Sequence, residues 1–221
     1  MLGAYMKLQI GIIGLGKFGL KFGQYLISLG DEVLGVDNDL DKVKSAQNIL
    51  TQVYQADAMN REALRQIRIH DLQHVLISVG DSIAASIMIT MYLKELGVPR
   101  VWVKAIHKDH EKLLHKIGAD EVVIPEYMAA KQIASRIAMP GFIEYLTFDK
   151  TVAVKEFSVK QWVGKTLKEL NLTSTFGIQV IAMRRHGDKN YHYIPKADDV
   201  FHEGDSFVAI GKIAELWKIT P

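Results

Sequence analysis

From Leu8 to Ala138 short runs of β-branched and apolar residues alternate with longer helical patterns, and no other feature limits the fold of the chain as tightly. The runs are "LQIGIIG" (8–14), "EVLGVD" (32–37), "TQVYQAD" (51–57), "HVLISVG" (74–80), "RVWVKA" (100–105) and "EVVIP" (121–125). Helices are expected at 17–29, 40–50, 60–67, 82–96, 109–117 and 127–138, several stopped by a glycine, as at Gly30, Gly97 and Gly118. Short strands joined by helical crossovers build a parallel sheet with helices on both faces. The expectation is therefore an α/β, doubly wound parallel sheet of six strands.

The pattern breaks at "AMPGF" (138–142), where Pro140 and Gly141 end the last helix. Strand-like runs follow at "VAVKEFSV" (152–159), "IQVIAMRR" (178–185) and "DSFVAIG" (205–211), with a short helix at 165–170. "HGD" (186–188) and "HEGD" (202–205) carry turn chemistry. Two domains are expected, 1–139 and 140–221, the second a small α+β unit near the lower size limit for a self-sufficient core.

A chain of 221 residues suits two domains, and 48% hydrophobic with 24% charged residues is the composition of a folded globular protein. A net charge of +2 is too mild to argue for nucleic acid. The absence of cysteine removes disulfides, thiolate metal sites and thiol nucleophiles, and suits a reducing compartment. The longest mostly apolar stretch, "SIAASIMITMYL" (82–93), is short of the roughly 20 residues of a membrane span. "MLGAYMKLQ" at the start has no secretory pattern, so a cytoplasmic location is expected.

Between the first strand and first helix lies "GLGKFG", with glycines at 14, 16 and 19. Gly14 closes the strand, Gly16 admits a phosphate to the backbone, and Gly19 lets the helix pack closely on the sheet. The helix start offers free N–H groups and a positive dipole end to an anion. Asp37 ends the second strand, where a carboxylate suits ribose hydroxyls and repels a 2′-phosphate. Ligands of such sheets lie beyond the carboxyl ends of the strands, which brings in Asp57 and Ala58, and Val79, Gly80 and Asp81. Asp57 reads equally as a helix cap before "NREAL", and Asp81 or Ser82 as the cap of the next helix.

No catalytic constellation accompanies this site. "HKDHEKLLHK" (107–116) is moderately dense in titratable groups, but His107 and His110 lack a third ligand at convincing spacing, and a hydrophilic helix start explains them. His186, His192 and His202 form no set. The chain reads as a nucleotide binder with no chemistry to perform on the nucleotide.

Taken together, "IGIIGLGKFG", "VLGVD", "YQADAMN", "LISVGDSIAAS", "VWVKA" and "KIGADEVVIPE" resemble the RCK or KTN domain of potassium-transport regulators. "WVGKTLKELNLTSTFGIQVIAMRRHGD" and "YIPKADDVFHEGDSFVAIG" resemble the TrkA-C pattern of the Ktr/Trk regulatory subunits. The resemblance implies a non-enzymatic cytoplasmic subunit, peripheral to the membrane. It implies a homodimer assembling into an octameric ring beneath a membrane-embedded potassium-translocating subunit of Ktr/Trk type. It also implies ATP or ADP as ligands, with NAD or NADH in relatives.

The position after Gly16, commonly arginine in that family and in reach of the terminal phosphate, is here Lys17, a point charge without the guanidinium fork. Glu126 matches a carboxylate that helps hold a divalent cation, Mg2+ or Ca2+, with ATP; it also reads as a dipole-favoured glutamate after Pro125. Lys104 and His110 match positions lining the same pocket, with Ala105 and Ile106 between them. Phe18 beside Lys17, and Asn38 and Asp39 beyond Asp37, complete the expected nucleotide-contacting set. Some relatives bind cyclic di-AMP in the small domain, where Val163, Asn171 and Pro195 stand in matching places.

"SIAASIMITMYLKEL" places Ile83, Ile87, Met88, Ile89, Met91, Tyr92 and Leu93 around nearly the whole helix. Such a helix buries two faces, one of them against a second subunit or further inside its own domain. Trp162 and Trp217 serve either a core or an interface. Two rivals remain, a small NAD-dependent oxidoreductase and a free-standing redox sensor acting on another protein.

Overall fold

The computed structural model describes residues 7–79, 82–138, 141–146 and 149–221, so the expectations for Gly80, Asp81 and Pro140 lie outside the described residues. By its contacts the chain divides into two compact units between Met128 and Ala129. The division falls inside a helix, ahead of the "AMPGF" breaker.

The first unit is the expected parallel sheet. Its strands are β1 (Gln9–Ile13), β2 (Glu32–Asp37), β3 (Gln52–Gln55), β4 (His74–Ile77), β5 (Arg100–Lys104) and β6 (Glu121–Val123). They stand in the order β3-β2-β1-β4-β5-β6 and every pairing is parallel. The helices are α1 (Lys17–Leu29), α2 (Leu40–Ala46), α3 (Arg61–Gln66), α4 (Ile83–Glu95), α5 (Lys108–Lys116) and α6 (Pro125–Ala138), with a 3-10 turn at Ile69–Asp71. The order reverses between β1 and β4, which opens a crevice at the carboxyl ends of those two strands.

Both faces of the central strands are covered, which is why they read as continuous apolar runs. One face carries Ile13, Val36, Val75, Ile77, Val101 and Val103 against Leu64 of α3, Leu93 of α4 and Leu114 of α5. The other carries Ile12, Val33 and Leu76 with Leu50 and residues of α1. On α4 only Ser86, Ile89, Thr90 and Leu93 are buried, and Met91 is exposed. α6 buries none of its 14 residues and leaves Tyr127, Met128, Ile133 and Ile137 exposed.

The second unit is an antiparallel sheet in the order β10-β9-β11-β8-β7. Its strands are β7 (Phe142–Leu146), β8 (Asp149–Ser158), β9 (Gln179–Arg184), β10 (His192–Tyr193) and β11 (Ser206–Lys212), with short helices α7 (Leu167–Leu170), α8 (Leu172–Phe176) and α9 (Ile213–Leu216). Its core is aromatic. Phe157 stacks on Phe207 at 5.0 Å between ring centres, and Trp162 lies 5.7 Å from the same ring. Trp162 is therefore a core residue, while Trp217 is half exposed and sits under the Lys155 ammonium at 4.2 Å.

Candidate functional site

The glycine-rich turn is fixed by two close approaches. Gly14 holds φ at +96°, and a Cβ there would fall 2.2 Å from the Ser78 carbonyl oxygen. A Cβ on Gly19 would fall 2.0 Å from the Gly14 carbonyl oxygen. Gly16 differs: a Cβ there meets nothing within 4 Å. Its missing side chain leaves open the space in front of α1 instead of relieving a clash.

α1 starts at Gly16 with no side-chain cap, whereas Asp39, Asn60, Ser82 and His107 cap α2, α3, α4 and α5. The first N–H groups of α1 and the positive end of its dipole therefore face the crevice uncapped. Lys17 stands exposed at that start with no ion pair among the described residues. A phosphate finds there both backbone donors and a cation.

Asp37 is buried beside the turn. Its Oδ2 accepts the Leu15 N–H at 2.7 Å and its Oδ1 accepts the Asp39 N–H at 2.9 Å. The Lys42 ammonium stands 3.7 Å from Oδ2. A carboxylate has about four lone-pair directions, so acceptor capacity remains for two ribose hydroxyls.

These residues line a cleft of 620 Å³. Of the expected set, Gly14, Gly16, Lys17 and Phe18 line it from the turn and the start of α1, Asp37 and Asn38 from the end of β2, and Asp57 and Ala58 from beyond β3. Val79, Lys104 and Glu126 line it as well. The Lys104 ammonium lies 2.8 Å from Glu126 Oε1, and that bond, followed by the residue's own backbone N–H, holds the Glu126 carboxyl below the usual carboxylate range.

Among the described residues, five of the expected set do not line the cleft. Gly19 packs against Gly14, and Asp39 spends its carboxylate on the N–H groups of Asp41 and Lys42. Ala105 is buried in the core. Ile106 donates its N–H to His110 Nδ1 at 3.3 Å, and His110 Nε2 meets Ser86 Oγ at 2.9 Å. With Nδ1 accepting, the proton sits on Nε2, and burial followed by the charge of His107 lowers the His110 pKa. His110 is thus a buried brace between α4 and the loop after β5.

Asp57 does line the cleft, but its Oδ1 accepts the Met59 N–H at 2.9 Å in a tight turn, and Asn60 is the cap of α3. Sequence reasoning missed Lys42, Met59, Ser78 and Ile89, which also line the cleft. Lys42 had a signal, a cation in the first turn after "VDND", where it faces the carboxylate of Asp37. Among the described residues no group of three or more His, Cys, Asp or Glu is arranged to hold a metal ion. No helix among them is long and apolar enough to cross a membrane.

A six-stranded parallel sheet with this turn and carboxylate, followed by a small antiparallel sheet, defines a Rossmann-type nucleotide-binding protein with an appended α+β domain. Residues 10–125 match the TrkA-N domain and residues 154–220 the TrkA-C domain, so the chain belongs to the TrkA-N/TrkA-C (RCK) family, which includes the Ktr potassium uptake proteins. It is 34% identical to Ktr system potassium uptake protein C of Bacillus subtilis, over 96% of this chain and 95% of that protein. It is 33% identical to Ktr system potassium uptake protein A of Vibrio alginolyticus, over 92% of each. Among solved structures, a GsuK channel bound to NAD superposes with a TM-score of 0.56 at 20% identity, over 96% of this chain and 38% of that one.

Proposed function

We propose that this chain is the nucleotide-binding regulatory subunit of a potassium uptake system, a ligand-operated switch and not an enzyme. The observation that carries the reading is the cleft: an uncapped helix start with Lys17, and the buried carboxylate of Asp37, line one cavity in a chain that aligns with Ktr proteins over nearly its full length. ATP and ADP share the adenosine end and differ at the phosphate end, where Lys17 stands. If the two ligands favour different conformations, a tenfold shift of that equilibrium needs a difference of only about 1.4 kcal/mol per site.

The exposed apolar side chains of α6, with Met91 of α4, favour association, first as a dimer and then as an octameric ring on a membrane-embedded potassium-translocating subunit. Location at the inner face of the membrane follows from that partner. In this reading the nucleotide-binding domain ends with α6, near residue 139. A divalent cation at Glu126 would take one carboxylate oxygen from the chain and its remaining ligands from phosphate and water, as Mg2+ commonly does. The cyclic di-AMP reading of the small domain rests on the resemblance alone, with Val163 exposed and Asn171 linking α7 to α8 at φ +45°.

NAD or NADH is the second reading, supported by the NAD-bound channel of like fold and by a carboxylate placed for ribose. Titrating the wild-type protein and Lys17→Ala with ATP, ADP and NADH tests both. The switch reading expects ATP and ADP to bind and their affinity ratio to collapse in Lys17→Ala. Binding of NADH alone would sink it.

A further inference from the structure

Lys104 ends β5 within the cleft, with its side chain only 17% exposed. Its ammonium is bonded to Glu126, which is 68% exposed, and lies 5.9 Å from the centre of the Phe18 ring in the first turn of α1. One cation therefore touches both the phosphate end of the cleft and the first turn of α6. The same helix contains the division between the two compact units.

We propose that Lys104 relays nucleotide occupancy to α6: a phosphate at the start of α1 takes the Lys104 ammonium from Glu126, and α6 loses its tether to β5. The inference rests on the nucleotide reading of the cleft. Burial makes the exchange asymmetric. A mostly buried ammonium is costly to leave without a counter-charge, so it keeps one throughout, first the carboxylate and then the phosphate. Glu126 is mostly in water and is released at little cost. A terminal phosphate, which carries more charge than a carboxylate, is the stronger claimant for a compact ammonium. The ammonium has three donors, so retention of both partners is the rival outcome, and in that outcome α6 stays tethered.

The test uses the full chain in the presence of a chelator, with ligand binding followed by calorimetry and the amides of residues 128–132 by hydrogen exchange. ADP and ATP are expected to speed exchange in α6 about threefold to fivefold, the worth of one released ion pair. Adenosine, which lacks the phosphate, is expected to leave it unchanged. The free Glu126→Gln protein is expected to exchange already at the nucleotide-loaded rate of the wild type. ADP binding without any change in α6, an equal change with adenosine, or a slow free Glu126→Gln protein would each overturn the relay while leaving the nucleotide reading intact. Failure of ADP and ATP to bind the wild type would overturn both.

Discussion

Asp37 Oδ2 accepts the N–H of Leu15 at 2.7 Å, so the ribose-side carboxylate and the glycine-rich turn are one bonded unit. Removing the carboxylate disturbs the turn before any ligand is present. Asp37→Ala leaves the N–H groups of Leu15 and Asp39 without their acceptor and is expected to lower unfolding stability by about 1–3 kcal/mol. Asp37→Asn retains an amide oxygen and should cost less. Denaturant unfolding of the ligand-free protein measures both, and equal stability of Asp37→Ala and wild type would refute the brace.

The three glycines should separate into two behaviours. Gly14→Ala and Gly19→Ala drive a Cβ into backbone oxygens 2.2 Å and 2.0 Å away and should lower the melting temperature markedly. Gly16→Ala has free space and φ of −66°, so the ligand-free protein should melt near wild type while nucleotide affinity falls steeply. A Gly16→Ala protein that binds nucleotide normally would show that the phosphate does not approach this backbone.

His110 gives the first unit a sensitivity to mild acid. Burial depresses its folded pKa below the value of about 6.5 that holds in the unfolded chain. Its contribution to stability is therefore fully present above that unfolded value and is lost as pH falls through the depressed folded one. Melting temperatures between about pH 5 and 7.5 should decline toward acid more steeply for wild type than for His110→Asn. Parallel curves would exclude His110 as the source.

In the second unit the buried Asp205 ties a turn together. Its oxygens accept Arg185 Nη1 at 2.5 Å, the His202 N–H at 2.9 Å and the His186 N–H at 3.1 Å. Burial alone would raise its pKa, but these donors outweigh it and hold the carboxyl below the usual range. That stabilisation is present above the unfolded carboxylate value and lost as pH falls through the folded one. Asp205→Ala leaves the N–H groups of His202 and His186 without their acceptor, while the 44% exposed Arg185 keeps the Val200 carbonyl, and should cost about 1–3 kcal/mol, read by thermal or denaturant unfolding.

The parallel unit was legible because its signals are local. Uninterrupted apolar runs specify β2 as Glu32–Asp37, and the glycine stop and helical period specify α1 as Lys17–Leu29. The second unit was less so. β7 and the two-residue β10 exist through pairing with β8 and β9, and a five-residue run such as "FIEYL" carries no periodicity of its own. In the cleft, residues next to the turn could be read from spacing. The backbone bonds of His110 and Asp39 were not legible, because a polar side chain near a site looks the same in sequence whether it faces the cleft or the backbone behind it. Lys42 carried a local signal, a cation in the first turn after "VDND", but its approach to Asp37 is made only by folding.

α6 has 14 residues, none of them buried, and an isolated helix of such length is marginal in water. If copies of the chain cover it, as proposed above, its order depends on how many of them are near. Diluting the protein should melt this helix before any other element, so its ellipticity becomes a gauge of protein concentration. A cell holding few copies would then carry a chain whose sheet is fully formed and whose connecting helix is not.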